Sequence, residues 1–282
     1  MTRPGKNDLL DAAVRFTDGS PLNYVAEDVA LRPDLVGFRM YEAPILAVAD
    51  ASDPLFRELQ APEAIGPHFV LPGDWLSGAR SVVSFFAPFT DQVIDANVKE
   101  PVEVPPEWLH ARIEGQNFIG ALTVYLRDLL EKEGYAGIIP PMDKRFWSNS
   151  RPAAVKEDGS TEPGYTSNWS ERHVAYVCGL GTFGLSRGII TRKGMAGRLG
   201  SIVTDMPLEA DLRPYARYDE YCSRCGKCAL NCPVGAITVQ EGKNQSICQK
   251  FCNEVMQKHA PRYGCGKCSV GVPCTRGIPG RQ

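Results

Sequence analysis

The sequence predicts an α+β chain, with a mixed helix-and-strand core over residues 1–215 and a small cysteine-rich module over residues 216–282. Three observations carry this. Between Pro106 and Glu133, the side chains Phe118, Leu122, Tyr125, Leu126 and Leu129 recur at i, i+4, i+7, i+8 and i+11, the spacing of one helix face. The run Val82-Val83-Ser84-Phe85-Phe86 has the length and the β-branched and aromatic content of a buried strand. Nine of the ten cysteines follow residue 221.

The elements read in order as follows. Residues 1–70 are mixed and punctuated by proline, with Asn7 placed to cap a short helix over Asp8–Phe16. Ala79–Phe86 is a strand ended by Pro88, and the acidic, Pro-rich residues 98–107 form a loop. The long helix opens at Pro106, where a missing N–H is tolerated, and Gly134 ends it. Gly137–Pro141 begins a second strand-like piece. Met142–Thr166 is polar and rich in Arg, Lys, Gly and Pro, a loop long enough to be a lid or binding segment. Ser170 is placed to cap a helix that runs to Cys178 and stops at the turn Gly179-Leu180-Gly181. Leu185–Thr191 and Leu199–Asp205 read as strands around the basic segment Arg192–Arg198, and the module starts near Ala216.

Inside the module, Cys222-x2-Cys225-x2-Cys228-x3-Cys232-Pro233 has the bacterial-ferredoxin spacing for [4Fe–4S] ligation. Two-residue gaps let one tight loop turn three sulfurs inward. The longer gap and Pro233 carry the fourth away, and in such runs it serves a different cluster. One run therefore predicts two clusters and further ligands downstream, where Cys248, Cys252, Cys265, Cys268 and Cys274 follow. Zinc also takes Cys-x2-Cys pairs, but its ribbons use two separated pairs rather than three steps and a Cys-Pro. A disulfide framework needs a denser set in a secreted chain than ten cysteines in 282 residues.

The net charge of −2 is unevenly spread. Residues 1–141 hold 11 Lys/Arg against 21 Asp/Glu, a balance of −10, and residues 142–282 hold 20 against 12, a balance of +8. Arg224, Lys227, Lys250 and Lys267 lie in or beside the cysteine runs, where they offset anionic clusters; attraction of an anionic partner is the other reading. No stretch nears 18 apolar residues, so no membrane span is expected, and a start without apolar core or twin-Arg pair points to the cytoplasm.

The segment Ser170–Glu209, "SERHVAYVCGLGTFGLSRGIITRKGMAGRLGSIVTDMPLE", together with "CSRCGKCALNCPVGAI", resembles the epoxyqueuosine reductase and reductive dehalogenase superfamily. The earlier "LPGDWLSGARSVVSFFAPF" is similar to the first core strand of those proteins. The resemblance implies a nitroreductase-like α/β core that holds a corrinoid (cobalamin), followed by a ferredoxin-like domain with two [4Fe–4S] clusters. It assigns Cys222, Cys225, Cys228 and Cys274 to cluster one and Cys232, Cys248, Cys265 and Cys268 to cluster two. The gap before Cys274 is five residues where the pattern has three. Cys252, one helical turn after Cys248, is left over as a core thiol or an alternative ligand. Cys178 falls on the apolar side of a helix and reads as core.

Other residues enter through the same resemblance. Six positions before Glu171-Arg172, where epoxyqueuosine reductases carry a catalytic Asp, this chain has Tyr165; reductive dehalogenases use a Tyr as proton donor, so Tyr165 is a candidate acid or an ordinary packed Tyr. Arg172 is a candidate for a cofactor phosphate or substrate carboxylate, or a partner of Glu171 or Asp205. Gly179 and Gly181 are candidate corrinoid contacts or a plain helix cap. His173, Lys144 and Arg145 read first as helix-face and solvated residues.

Three functions follow from these readings. The first is an iron–sulfur oxidoreductase passing electrons to a corrinoid to reduce a small molecule, fed by a low-potential donor of ferredoxin or flavodoxin type. The second is a non-catalytic electron carrier or corrinoid-reducing partner protein. The third is an epoxyqueuosine (tRNA) reductase. The chain ends at Gln282, without the C-terminal helical repeats that help many such enzymes hold tRNA, so tRNA is not the expected partner.

Overall fold

The computed structural model describes residues 5–156 and 159–280. The core opens with helix α1 (Lys6–Gly19), strand β1 (Ile45–Asp50) and the short helices α2 (Pro54–Glu58) and α3 (Pro72–Trp75). Strand β2 (Ser81–Pro88), helices α4 (Asp91–Lys99) and α5 (Pro106–Lys132) and strand β3 (Gly137–Ile138) follow. Four two-residue strands come next: β4 (Ser148–Asn149), β5 (Ala154–Val155), β6 (Thr161–Glu162) and β7 (Thr166–Ser167). Helix α6 (Glu171–Val177), the hairpin β8 (Gly181–Phe183) and β9 (Ile189–Thr191), and the long strand β10 (Gly197–Thr204) complete the core. The module holds α7 (Lys227–Leu230), β11 (Ile237–Thr238), β12 (Gly242–Lys243) and α8 (Gln245–His259).

The main sheet has the order β1-β2-β10-β3, and every pairing is antiparallel. Strand β2 is buried along its whole length because helices cover both faces of the sheet. Side chains alternate across it, as a period of two requires. Leu46, Val48, Val83, Phe85 and Ile202 join one apolar cluster with Leu9 of α1 and Phe118, Leu122 and Leu126 of α5. Ile45, Ala47, Val82, Phe86 and Val203 join the other, with Phe56 of α2, Trp75 of α3 and Val174 of α6. The result is a three-layer α/β/α core.

Several boundaries differ from the expectation. Asn7 lies inside α1 rather than capping it. Gly5 is the cap, and the Asp8 carboxylate accepts from the Gly5 N–H at 2.7 Å. Strand β1 falls in the stretch read only as mixed. Strand β9 begins at Ile189 instead of Leu185, because Leu185–Gly188 forms a tight turn closed by Gly184 N–H donating to Gly188 C=O at 2.8 Å. Within Met142–Thr166, of which residues 157–158 lie outside the described residues, β4 pairs with β7 and β5 with β6.

The module docks on the core through the turn Gly264–Ser269. Gly266 (φ +71°) lies flat on the Trp108 indole, where an added Cβ would come within 1.8 Å of a ring atom. Lys267 is buried, and its Nζ donates to Asn97 Oδ1 (2.6 Å), to Asn97 C=O (2.9 Å) and to Glu100 C=O, so it caps the C-terminus of α4. Arg262 pairs with Glu114 of α5, whose carboxylate also meets His110 Nδ1 at 3.1 Å. Ile190 and Met195 of the core share an apolar cluster with Tyr221, Cys228 and Ile237 of the module.

Candidate functional site

The nine module cysteines gather around two cavities. Cys222, Cys225, Cys228 and Cys274 line a small one beside the turn after β8. The loop that presents the first three is shaped by left-handed backbone at Arg224 (φ +50°) and Gly226 (φ +74°). Cys274 arrives from the opposite side and packs on Met195. Cys232, Cys248, Cys252, Cys265 and Cys268 line a larger cavity of about 370 Å³ between module and core. The two sets adjoin, because α7 packs on the turn Lys267–Ser269 and Asn231 Nδ2 donates to Val270 C=O at 2.9 Å.

Among the described residues, no three His, Cys, Asp or Glu side chains are drawn together tightly enough for one metal ion. A [4Fe–4S] cube gives each thiolate its own iron, so ligands spread around an opening are the arrangement it needs. Burial and the neighbouring thiols at Cys268, Cys222 and Cys225 push Cys228 up to about 11, and burial pushes Cys274 and Cys265 up to about 12. The exception is Cys248, held down to about 6 by a hydrogen bond from Cys252, which outweighs burial and is helped by Lys243; Cys252 is driven up by the same contact. Backbone Ala236 N–H donates to Cys232 Sγ at 3.2 Å, a contact that stabilises a ligating thiolate.

The core side of the larger cavity carries three arginines, Arg112 of α5, Arg172 of α6 and Arg198 of β10, beside Phe89, Trp108 and Tyr263. Arg112 donates to the Tyr263 hydroxyl at 2.6 Å and lies 4.3 Å over the same ring. Arg198 donates to Gln116, and Arg172 donates to the Arg187 carbonyl at 2.8 Å. Burial and then the charge of Arg112 bring Arg198 down to about 10. Behind this wall, burial pushes the Glu171 carboxyl up to about 7, against the pull of Ser201 and Arg198, and its Oε2 is buried without a hydrogen-bond partner among the described residues.

Of the residues singled out from sequence, the nine cysteines and Arg172 meet at these cavities. Tyr165 does not. Its backbone (φ +52°) turns the chain into β7, its N–H donates to Arg151 C=O at 3.0 Å, and it lines neither cavity. None of the described residues of 142–166 lines the larger cavity; Arg145 instead pins the segment to the Asp74 and Trp75 carbonyls at 2.8 Å each, and Lys144 stays outside. Gly179 and Gly181 also stay outside. Gly179 (φ +95°) ends α6, and a Cβ on Gly181 would strike the Ile190 carbonyl of β9 at 2.0 Å, so the turn is shaped by hairpin packing. His173 bonds Ser170 Oγ at 2.8 Å and packs on Phe183, and burial brings it down to about 4. Cys178 is core, fully buried against the Val82 carbonyl. Sequence reading passed over Arg112, Arg198 and Tyr263. Their signal was a basic residue on a helix flank, one at a strand start and an aromatic beside Gly264, none of which stands out alone.

The fold and the cysteine sets define an iron–sulfur protein with an α/β/α core. The profile of the 4Fe-4S binding domain family matches residues 216–238. Among solved structures, a selenomethionine-labelled epoxyqueuosine reductase aligns over 83% of this chain and 62% of its own length, at 20% identity and a TM-score of 0.50. An epoxyqueuosine reductase solved with an epoxyqueuosine-modified tRNA-Tyr stem loop aligns over 83% and 62%, at 19% identity and 0.49. A catabolic reductive dehalogenase in complex with 3-bromo-4-hydroxybenzoic acid aligns over 83% and 30%, at 15% identity and 0.47. The likeness is one of fold, and this chain spans 62% of the length of the first reductase. No curated protein matches the sequence. Among the described residues, no helix is long and apolar enough to cross a membrane.

Proposed function

We propose that the chain is a two-cluster iron–sulfur reductase that delivers electrons to a small molecule in the cavity between module and core. The observation that carries this reading is the division of nine cysteines into four around one cavity and five around an adjoining one. Bound there, [4Fe–4S] clusters supply one-electron transfer at low potential. Cys222, Cys225, Cys228 and Cys274 hold the first. Cys232, Cys265 and Cys268, with Cys248 or Cys252, hold the second. Cys225 is exposed, which suits electron uptake from a ferredoxin- or flavodoxin-type donor at the first set. Lys243 and Arg172 line the second set and offset the charge of its thiolates, and Phe89 and Trp108 keep water from the opposite wall.

The corrinoid implied by the sequence resemblance fits this cavity poorly. About 370 Å³ lies at the lower end of the roughly 300–1,000 Å³ that drug-sized ligands occupy, and five cysteines claim part of it. A corrinoid is much larger than such a ligand, and the Gly179–Gly181 turn faces elsewhere.

Anaerobic purification with iron and cobalt counted per chain tests the reading. About eight iron atoms are expected. About four would remove the second cluster and with it the proposal. One cobalt per chain with a shifted cobalamin spectrum would install the corrinoid reading instead, and conversion of epoxyqueuosine in tRNA beside a working control would install the tRNA reading.

A further inference from the structure

We infer that Arg112, Arg198 and Tyr263 form an anion-binding site on the core wall of the larger cavity, and that the ligand reduced there carries a carboxylate or phosphate. This rests on the reading of the cavity as the place where electrons are delivered, and it adds the class of ligand.

The first support is the convergence of guanidinium groups that form no salt bridge among the described residues. Arg112, Arg172 and Arg198 come from α5, α6 and β10 and line one cavity. Among the described residues none of the three makes an ion pair, whereas neighbouring Arg262 and Arg276 do, with Glu114 and with Asp91 and Asp95. The contacts Arg112 and Arg198 make are to neutral oxygens, the Tyr263 hydroxyl and the Gln116 side-chain carbonyl. A guanidinium has five donors, so each keeps several for a ligand. Unpaired charges in a partly desolvated cavity are unfavourable unless a ligand brings the opposite sign.

The second support separates this pair from the clusters. Basic residues near thiolate-bound iron have an ordinary reason to be there, and Arg172, whose electrostatic neighbours include Cys268, meets it. The chief electrostatic neighbours of Arg198 are Arg112, Tyr41, Tyr263 and Glu171, with no cysteine among them. Arg198 thus answers to the core wall rather than to the second cluster, and the Glu171 carboxyl behind it, lifted by burial to about 7, supplies only part of a counter-charge. A bidentate fork suits carboxylate and phosphate alike.

The test is a calorimetric titration of oxidised, iron-loaded protein with inorganic phosphate and, separately, with benzoate. The wild type should bind at least one of them 1:1 with a Kd at or below about 1 mM. Binding should weaken as salt rises. Arg112→Gln and Arg198→Gln should each weaken it about tenfold or more. Arg198→Lys should recover part of that loss, and Arg276→Gln should leave binding unchanged. The preferred probe distinguishes a carboxylate from a phosphate ligand. Wild-type protein that binds neither probe overturns the inference whatever the variants do. So do Gln variants that bind as tightly as wild type, or variants that bind weakly only in proportion to lost iron, since the arginines would then serve the cluster. The titration uses no turnover, so its failure leaves the reductase reading standing, and a shortfall of iron in wild type would sink that reading instead.

Discussion

The two cysteine sets share one module and one ligand chemistry, yet they differ in what stands opposite them. The first set closes between its own loop, Cys274 and the β8–β9 hairpin, and leaves Cys225 exposed. The second is assembled from three pieces, Cys232, helix α8 and the turn at Cys265–Cys268, and it looks across a cavity at the core. The first has four thiols and the second has five. The contrast teaches that the spacing of ligands says what is bound, while the far wall decides what the electrons can reach.

The sharpest way to break the comparison is to remove ligands one at a time. Cys228→Ser should lose the first cluster and about half of the iron, and Cys248→Ser should lose the second to the same extent. Cys252→Ser should keep all of it, because Cys252 gives a hydrogen bond to Cys248 and holds that thiol in its readier form. Iron content with optical spectra decides; a Cys252→Ser protein at half iron beside a fully loaded Cys248→Ser protein would exchange the two roles.

Next in size is the docking of the second set. Lys267 closes three contacts to the end of α4 from a buried position. Lys267→Met should leave those carbonyls unpaired and cost about 2–4 kcal/mol, seen as a lower melting temperature of loaded protein. Fall of the melting temperature by less than a degree would show that the module is held by its other contacts rather than by Lys267.

How much of this was legible in the sequence follows the same divide. Cys222, Cys225 and Cys228 could be read because they crowd into one local run whose spacing carries the chemistry, whereas Cys274, 46 positions after Cys228, joined them only through the resemblance. Helix α5 and strand β2 could be read because burial imposes a local period. Strand β1 could have been read from the apolar Ile45–Ala49, but the prolines around it drew the reading toward loop. The far wall could not be read. Arg112 and Tyr263 are 151 positions apart and meet only when the module folds back on α5. Tyr165 shows the reverse case: its register against another motif makes it a candidate acid, but register along the chain does not say toward which cavity a hairpin turns, and Tyr165 lines neither of the two.

A smaller effect sits behind that wall. The ordinary carboxyl of Glu171 titrates near 4.5, and burial first of all lifts it to about 7 in the folded chain. Between these values the unfolded chain releases its proton while the folded chain keeps it, so stability falls as pH rises from 4.5 to 7. The loss is of the order of 3 kcal/mol. Glu171→Gln should therefore raise the melting temperature at pH above 7 and leave it nearly unchanged below 4.5. An unchanged slope of stability against pH in this variant would assign the dependence to another group.

The smallest effect is expected where the structure displays its most visible ion pairs. Arg276 joins the module to α4 through Asp91 and Asp95 at 2.6 Å each, the same helix that Lys267 holds. The difference is exposure. The Arg276 side chain is 46% exposed and its partners 77% and 56%, so water screens both states and little is gained on docking. Arg276→Ala should cost less than about 1 kcal/mol, and even that should vanish near 1 M salt, where the screening length falls to about 3 Å. A melt of this variant at low and high salt, set beside Lys267→Met, measures how far the buried amine rather than the surface pairs fixes the second cysteine set against its far wall. A salt-independent loss above 2 kcal/mol for Arg276→Ala would reverse that order and make the surface pairs the hinge of the docking.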